Sequence, residues 1–320
     1  MGYLSVALMW AGFPVTPIQF VWFFAIDNPH VMATATRTYF DKAERRKLGP
    51  LLWILPLLFL IGPSFVAAGY ASVFFLAAFC WQQFHVTKQH FGIMMLYKAK
   101  NRDRDRLDFH FDRWFLLTSL FVPLAYYVQR TEARIAAVAW IDTLLSAVVV
   151  AYAVLCAAWL VRQLHKLRTG REMNWPKLAL LAGVVPLQWL ALGFAYRMGP
   201  GGTLFAAIPL GIFHGLQYHR LMWLHNHNRY AAPEARERNG LAAVLATRVS
   251  RYLTVALGLN VCLGFLPLAL YPHKMMQAAL WGLPFMHYIL DARIWHVRED
   301  KELAAALNLA PSASSSKSGS

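Results

Sequence analysis

Residues 143–160 read TLLSAVVVAYAVLCAAWL, eighteen positions without a charge. Such a stretch has no polar face to offer water, and its length is what a helix needs to cross a hydrocarbon core of roughly 30 Å. Working outward from it, similar runs recur along the whole chain. Nine spans account for the pattern: 4–26, 50–69, 71–97, 113–129, 134–163, 177–197, 203–227, 252–272 and 275–294. Hydrophobic residues make up 58% of the 320 and charged ones 15%, a balance too apolar for an ordinary soluble domain. The fold predicted is all-α: a polytopic transmembrane helix bundle over residues 1–300, followed by a disordered cytoplasmic tail over 301–320. Gly69, the Gly199-Pro200-Gly201-Gly202 turn and Pro272 mark tight connections. The second and third spans are the least separable, as a kinked pair or a re-entrant hairpin.

The net charge of +15 raises nucleic acid as a partner, but the basic residues sit in short connections between apolar runs. That placement follows the membrane rule that Lys and Arg collect on the cytoplasmic side. With the N-terminus outside, the inner segments 37–48, 98–113, 162–177, 229–251 and 293–320 hold 5, 6, 5, 5 and 4 Lys/Arg, 25 in all. The outer connections hold 4: Arg130, Arg134, Arg197 and Lys274. The asymmetry predicts an outside N-terminus, a cytoplasmic C-terminus, no nucleic-acid role and a multi-pass protein of the bacterial inner membrane. Cys80, Cys156 and Cys262 all lie in apolar runs and form no CxxC or CxxCH, so zinc ribbons and c-type haem find no support.

Under this topology eleven of the twelve histidines fall in the cytoplasmic half, and only His273 lies outside. Odd-numbered spans end at the inner face. There the chain places Asp27-Asn28-Pro29-His30, His85 and His90, His214 and His219, and His287 with Asp291. Ionisable groups at such depth are costly and face the bundle interior, paired or coordinated. A cation shared among imidazoles offsets that cost, so His30, His85, His90, His214, His219, His225, His287 and Asp291 are the candidate metal ligands. His110, His165, His227 and His296 read as solvated interfacial side chains. In each HxxxxH pair the two residues lie about 140° apart on a helix, too far round to chelate one ion as an i, i+4 pair does. His287 and Asp291 are i, i+4 and share a face. Asp27, Lys88, Gln89, Gln217 and Tyr218 are candidates for orienting the ligands through hydrogen bonds. Asp27 also reads as a helix N-cap ahead of Pro29.

This arrangement resembles the integral-membrane histidine-box non-haem iron oxygenases, the fatty-acid desaturases and alkane hydroxylases. His85 and His90 look like their opening box. His214, His219, His225 and His227 stand where a second box is found, and His287 where the last is. In order of histidines the chain is also similar to the Brp/Blh carotene dioxygenases, through His30, His85, His214 and His219. The resemblance implies one or two iron ions and dioxygen as co-substrate, and the apolar spans a lipophilic substrate drawn from the lipid bilayer. A desaturase or hydroxylase also needs a reductase or ferredoxin-like electron donor, since no electron-transfer motif is visible. Zinc and copper also suit the residue set. The alternatives are a metal-ion transporter, a b-type haem protein with two axial histidines, and a zinc-dependent membrane hydrolase.

Overall fold

In the computed structural model, which describes residues 1–199, 202–230, 232 and 234–309, the chain is helical, with no strand among the described residues. Helices α1 (Gly2–Trp10), α2 (Val15–Val21), α3 (Asn28–Arg37) and α4 (Lys42–Leu48) open it. Four long helices come after the shorter pieces of residues 51–67 and the turn at Gly69: α5 (Ala71–Lys100), α6 (Arg106–Thr131), α7 (Ala139–Arg168) and α8 (Trp175–Arg197). The series closes with α9 (Thr203–Arg229), α10 (Val249–Asn260), α11 (Gly282–Ile294) and α12 (Lys301–Ala306). Pro200 and Gly201 of the turn, and the tail from 310, fall outside the described residues.

Three helical stretches are long and apolar enough to cross a membrane: Ala139–Arg168, Trp175–Arg197 and Val249–Leu270. The pair Lys42–Leu48 and Leu51–Ala67, bent by 82°, makes a fourth if it counts as one broken span. The nine spans expected from the sequence therefore reduce to three on length and hydropathy. Histidine and charge lower the hydropathy of α5 and α9, although 30 and 27 residues give them about 45 and 40 Å of length. The first expected span is broken, because Gly12 takes φ +81° and Pro14 cannot continue a helix. On α7, Val150, Val154 and Val161 are each 65% exposed. A helix that leaves such side chains open suits hydrocarbon surroundings better than water.

The chain divides into two compact units, Met1–Gln19 with Val86–His214, and Phe20–His85 with Gly215–Ser320. In the first, α6 packs on α7 and α8 around Phe115, Leu116, Trp159 and Leu181, with the Phe115 and Trp159 rings stacked at 4.2 Å. A closed set of ion pairs ties the ends of these helices. Asp112, fully buried, accepts from Lys98 Nζ at 2.9 Å, Lys177 Nζ at 2.8 Å and Trp159 Nε1 at 3.0 Å. Asp103 receives the same two lysines at 2.9 and 3.1 Å. Asp108 accepts from Arg162 Nε at 2.8 Å and Lys166 Nζ at 2.6 Å. Burial pushes the Asp103 and Asp108 carboxyls up, but the lysines and Arg162 outweigh it and hold both below the usual carboxylate range.

In the second unit α3 packs on α10 and α11 around Ala33, Tyr218, Met222, Tyr252 and Ile294. Residues 301–309 depart from the expected disordered tail. Asp300 caps α12 by accepting from Leu303 N at 2.9 Å, Leu303 is fully buried, and Asn228 Nδ2 donates to Ala306 O at 2.7 Å. Burial of Leu303 and a satisfied cap give this segment what a tail lacks.

Removing one partner of a buried, hydrogen-bonded ion pair costs roughly 3–5 kcal/mol. Asp112→Ala takes one of their two carboxylates from Lys98 and Lys177 and leaves Trp159 Nε1 without its acceptor, so the detergent-solubilised variant is expected to melt below the wild type. A carboxyl whose folded pKa lies below its unfolded value of about 3.9 stabilises the fold above that pH. The contribution of Asp103 and Asp108 is therefore present from about pH 4 upward and lost on further acidification, read as a falling melting temperature.

Candidate metal centre

The helix that carries His30 does not begin where the sequence suggests. Asp27 has helical backbone angles, φ −71° and ψ −62°, and caps nothing. A π-helical turn over Trp22–Asp27 carries the chain through into α3, so the expected N-cap at Asp27 is lost. Such turns widen a helix and re-aim the side chains beyond them. The Asp27 carboxylate instead stands 3.7 Å from His30 Nδ1. Gly215 of α9 backs onto the same imidazole. A Cβ there would meet Ile26 Cγ2 at 3.0 Å and His30 Nδ1 at 3.4 Å.

Around His30 the second unit gathers His85 from α5 and His287 and Asp291 from α11. The His287 ring lies 5.0 Å from that of His30 and 4.7 Å from that of His85. His85, His287 and Asp291 each bring one ligand atom within 4.8 Å of the others. All four residues are buried. Tyr288 stacks on the His85 ring at 4.2 Å and sets its plane.

A chain of hydrogen bonds fixes which nitrogen of His287 is available. Tyr218 Oη donates to Asp291 Oδ1 at 2.7 Å. The phenol's only proton is then used, so its oxygen accepts from Thr34 Oγ1, also at 2.7 Å. Thr34 has no second proton, so its contact with His287 Nδ1 at 2.7 Å is a bond that the imidazole donates. With Nδ1 protonated, His287 Nε2 keeps its lone pair, and that atom is buried without a hydrogen bond. An imidazole whose outer nitrogen donates into a carboxylate-terminated chain is held in a tautomer that a metal ligand can use. Asp291 ends the chain through Oδ1 and has a second oxygen to offer.

His219 and His225 are placed differently. His219 is engaged at both nitrogens. Ile26 O accepts from Nε2 at 3.3 Å, which leaves Nδ1 to accept from Tyr252 Oη at 2.9 Å. No lone pair is left, and His219 is a structural cross-brace. His225 donates from Nδ1 to Asn226 Oδ1 at 2.9 Å and packs 5.8 Å from the Trp295 ring. His90 and His214 belong to the first unit, where their rings are 6.3 Å apart. Gln89 donates to the backbone oxygen of His214 at 3.1 Å, Lys88 is exposed above Phe91, and Gln217 Oε1 is buried without a hydrogen bond. His110, His165, His227 and His296 are exposed, the first three on α6, α7 and α9 and His296 just past α11. Thr34, Gly215 and Tyr288 were not singled out from the sequence. The signal for Thr34 was its position, four residues after His30 and so on the same helical face.

No family model, no curated protein and no solved structure matches the chain. Its function is therefore to be sought in the chemistry of its own residues.

Thr34→Val keeps the shape of the side chain and removes the hydroxyl that orients His287. Loss of an orienting partner typically costs 10–100-fold in metal affinity. That loss is expected in a competitive chelator titration of the purified protein. His219→Gln removes no available lone pair, since both ring nitrogens of His219 are engaged. Its affinity is expected to stay within about threefold of wild type, a shift of under about 0.7 kcal/mol.

Proposed function

We propose that this protein is a membrane-embedded, metal-dependent oxidoreductase that uses dioxygen on a lipophilic substrate, with iron held by His85, His287 and Asp291 and by His30 beside them. The observation that carries the reading is the convergence of two imidazoles and a carboxylate within 4.8 Å of one another, with Asp291 Oδ1 3.6 Å from His287 Nδ1. Two histidines and one carboxylate with open positions form the donor set of non-haem iron oxygenases. The iron, when bound, supplies dioxygen activation. The chain's own residues hold the ligands in place, exclude water from a buried site and keep a proton on His287 Nδ1.

Several features support a substrate that arrives through the bilayer. Apolar side chains are bare on α7, and three helices are long and apolar enough to span. The Lys/Arg asymmetry supports an outside N-terminus, a cytoplasmic C-terminus and spans beyond those three. In a bacterial cell the location is the inner membrane. The inner-loop cations offer a docking face to an acidic reductase or ferredoxin-like donor.

Elemental analysis of protein purified without added metal tests the reading directly. About one or two iron atoms per chain, lost in His287→Ala and His85→Ala, is the expected result. Stoichiometric zinc points instead to a membrane hydrolase, and a haem absorption band to axial histidine ligation; either outcome replaces the oxygenase reading. Protein without metal removes it. For topology, single cysteines placed at Arg236 and Lys274 are expected to be labelled by a membrane-impermeant reagent from the inside and the outside respectively. Labelling of position 236 in intact cells overturns the orientation.

A further inference from the structure

Arg37 closes α3, two turns past His30, and falls where the sequence predicts a cytoplasmic loop cation. It is instead fully buried. None of its three side-chain nitrogens makes a hydrogen bond. The guanidinium lies against the Trp295 ring, 4.4 Å from its centroid, a cation–π contact that uses the face of the group and none of its N–H donors.

The nearby acids are spoken for. Asp41 accepts from Tyr230 Oη at 2.6 Å and stands 3.8 Å from Arg229. Glu44 pairs with Arg229 at 3.3 Å. Asp291 accepts from Tyr218. These carboxylates balance the charge of Arg37 at a distance and leave its hydrogen bonds unmade.

A second group on the same indole is also unsatisfied. His225 is fully buried and 5.8 Å from the Trp295 ring. Asn226 Nδ2 donates to Thr36 Oγ1 at 3.0 Å, which fixes the amide so that its oxygen receives His225 Nδ1–H. His225 Nε2 then carries a lone pair with no hydrogen bond. Around one tryptophan the fold thus leaves a planar fork of donors and a single acceptor.

A buried guanidinium with open donors is expensive, and the group that matches its fork is a carboxylate. A carboxylic acid serves both partners: its proton passes to His225 Nε2, and the carboxylate that remains accepts from Arg37 and from the new Nε2–H. Arg37 and His30 are seven residues apart on α3. That spacing places them within about 20° of one face and about 10 Å apart along the axis. We propose that Arg37, with His225 and Trp295, binds the carboxyl head of an amphiphilic substrate. The inference rests on the function proposed above only in calling this ligand the substrate; the carboxyl site itself requires no metal.

The test uses full-length protein in nanodiscs and measures binding of dodecanoate and dodecanol. Wild type is expected to bind dodecanoate at least tenfold more tightly than dodecanol. Arg37→Met, close in volume and free of unmade hydrogen bonds, is expected to lose that preference while its ligand-free form melts no lower than wild type. Arg37→Lys, which keeps the charge but not the fork, is expected to lose most of the preference, and His225→Phe part of it. The same preference is expected in His287→Ala protein, so failure of the metal reading and failure of this one give different results. Equal binding of the two probes by wild type, or a preference that survives Arg37→Met, overturns the proposal. So does dodecyl phosphate displacing dodecanoate at tenfold lower concentration, which assigns the fork to phosphate. Acetate binding as tightly as dodecanoate overturns the apolar chain. A ligand-free Arg37→Met protein that melts well below wild type shows the guanidinium to be a structural tie, and overturns the proposal as well.

Discussion

The 2.7 Å bond between His287 Nδ1 and Thr34 Oγ1 is the contact on which the second unit's chemistry depends. An imidazole in an apolar interior is neutral unless something holds a second proton on it, and a neutral imidazole has one nitrogen to donate and one to accept. Which is which decides whether the buried side chain is a brace or a ligand. Here the decision passes from the Asp291 carboxylate through Tyr218 to Thr34 and so to His287. Each step comes from counting protons, and the direction of the whole chain is set by one carboxylate at its end. The same count gives the opposite answer for His219, where a backbone carbonyl claims one nitrogen and a tyrosine hydroxyl the other. Two histidines on different helices thus differ in role for a reason that neither depth nor helix position reveals.

That contrast marks what was legible in the sequence and what was not. The helices were legible, because runs such as 143–160 leave no other conformation that satisfies the backbone in an apolar setting. His110, His165, His227 and His296, read from the sequence as interfacial, are all exposed. His30, His85, His287 and Asp291 were named together with His90, His214, His219 and His225, because ionisable groups deep in apolar helices are costly. Their partition from His219 and His225 was not legible, since it depends on partners brought from elsewhere in the fold, such as Thr34 and Tyr252. The cap expected at Asp27 failed for a related reason. Asp-Asn-Pro is a strong local start signal, yet a π-helical turn keeps the helix going, and local preference yields to tertiary packing. Arg37 was counted as a loop cation because sequence position alone does not distinguish the last turn of a buried helix from the first residue of a loop.

The two units bury charge in opposite ways, and the comparison bears on function. In the first unit, Asp112 receives two lysines and an indole N–H, and Lys177 reaches two carboxylates. Each of these donors meets an acceptor within 3.1 Å, so the network is self-contained and needs nothing more to be stable. Its place at the ends of α5, α6, α7 and α8 makes it a clasp.

In the second unit, Arg37 is as deeply buried as Asp112, and its side chain makes no hydrogen bond. A fold that can complete one buried ionic network within a few helices has the means to complete another. Leaving the guanidinium's donors open lowers stability, and proteins keep such defects where the missing partner comes from outside. The unfilled bonds of Arg37 and of His225 Nε2 are therefore better read as one half of a recognition contact than as imperfect packing. Their position, two turns from His30 on a single helix in the case of Arg37, ties that contact to the imidazoles it would serve.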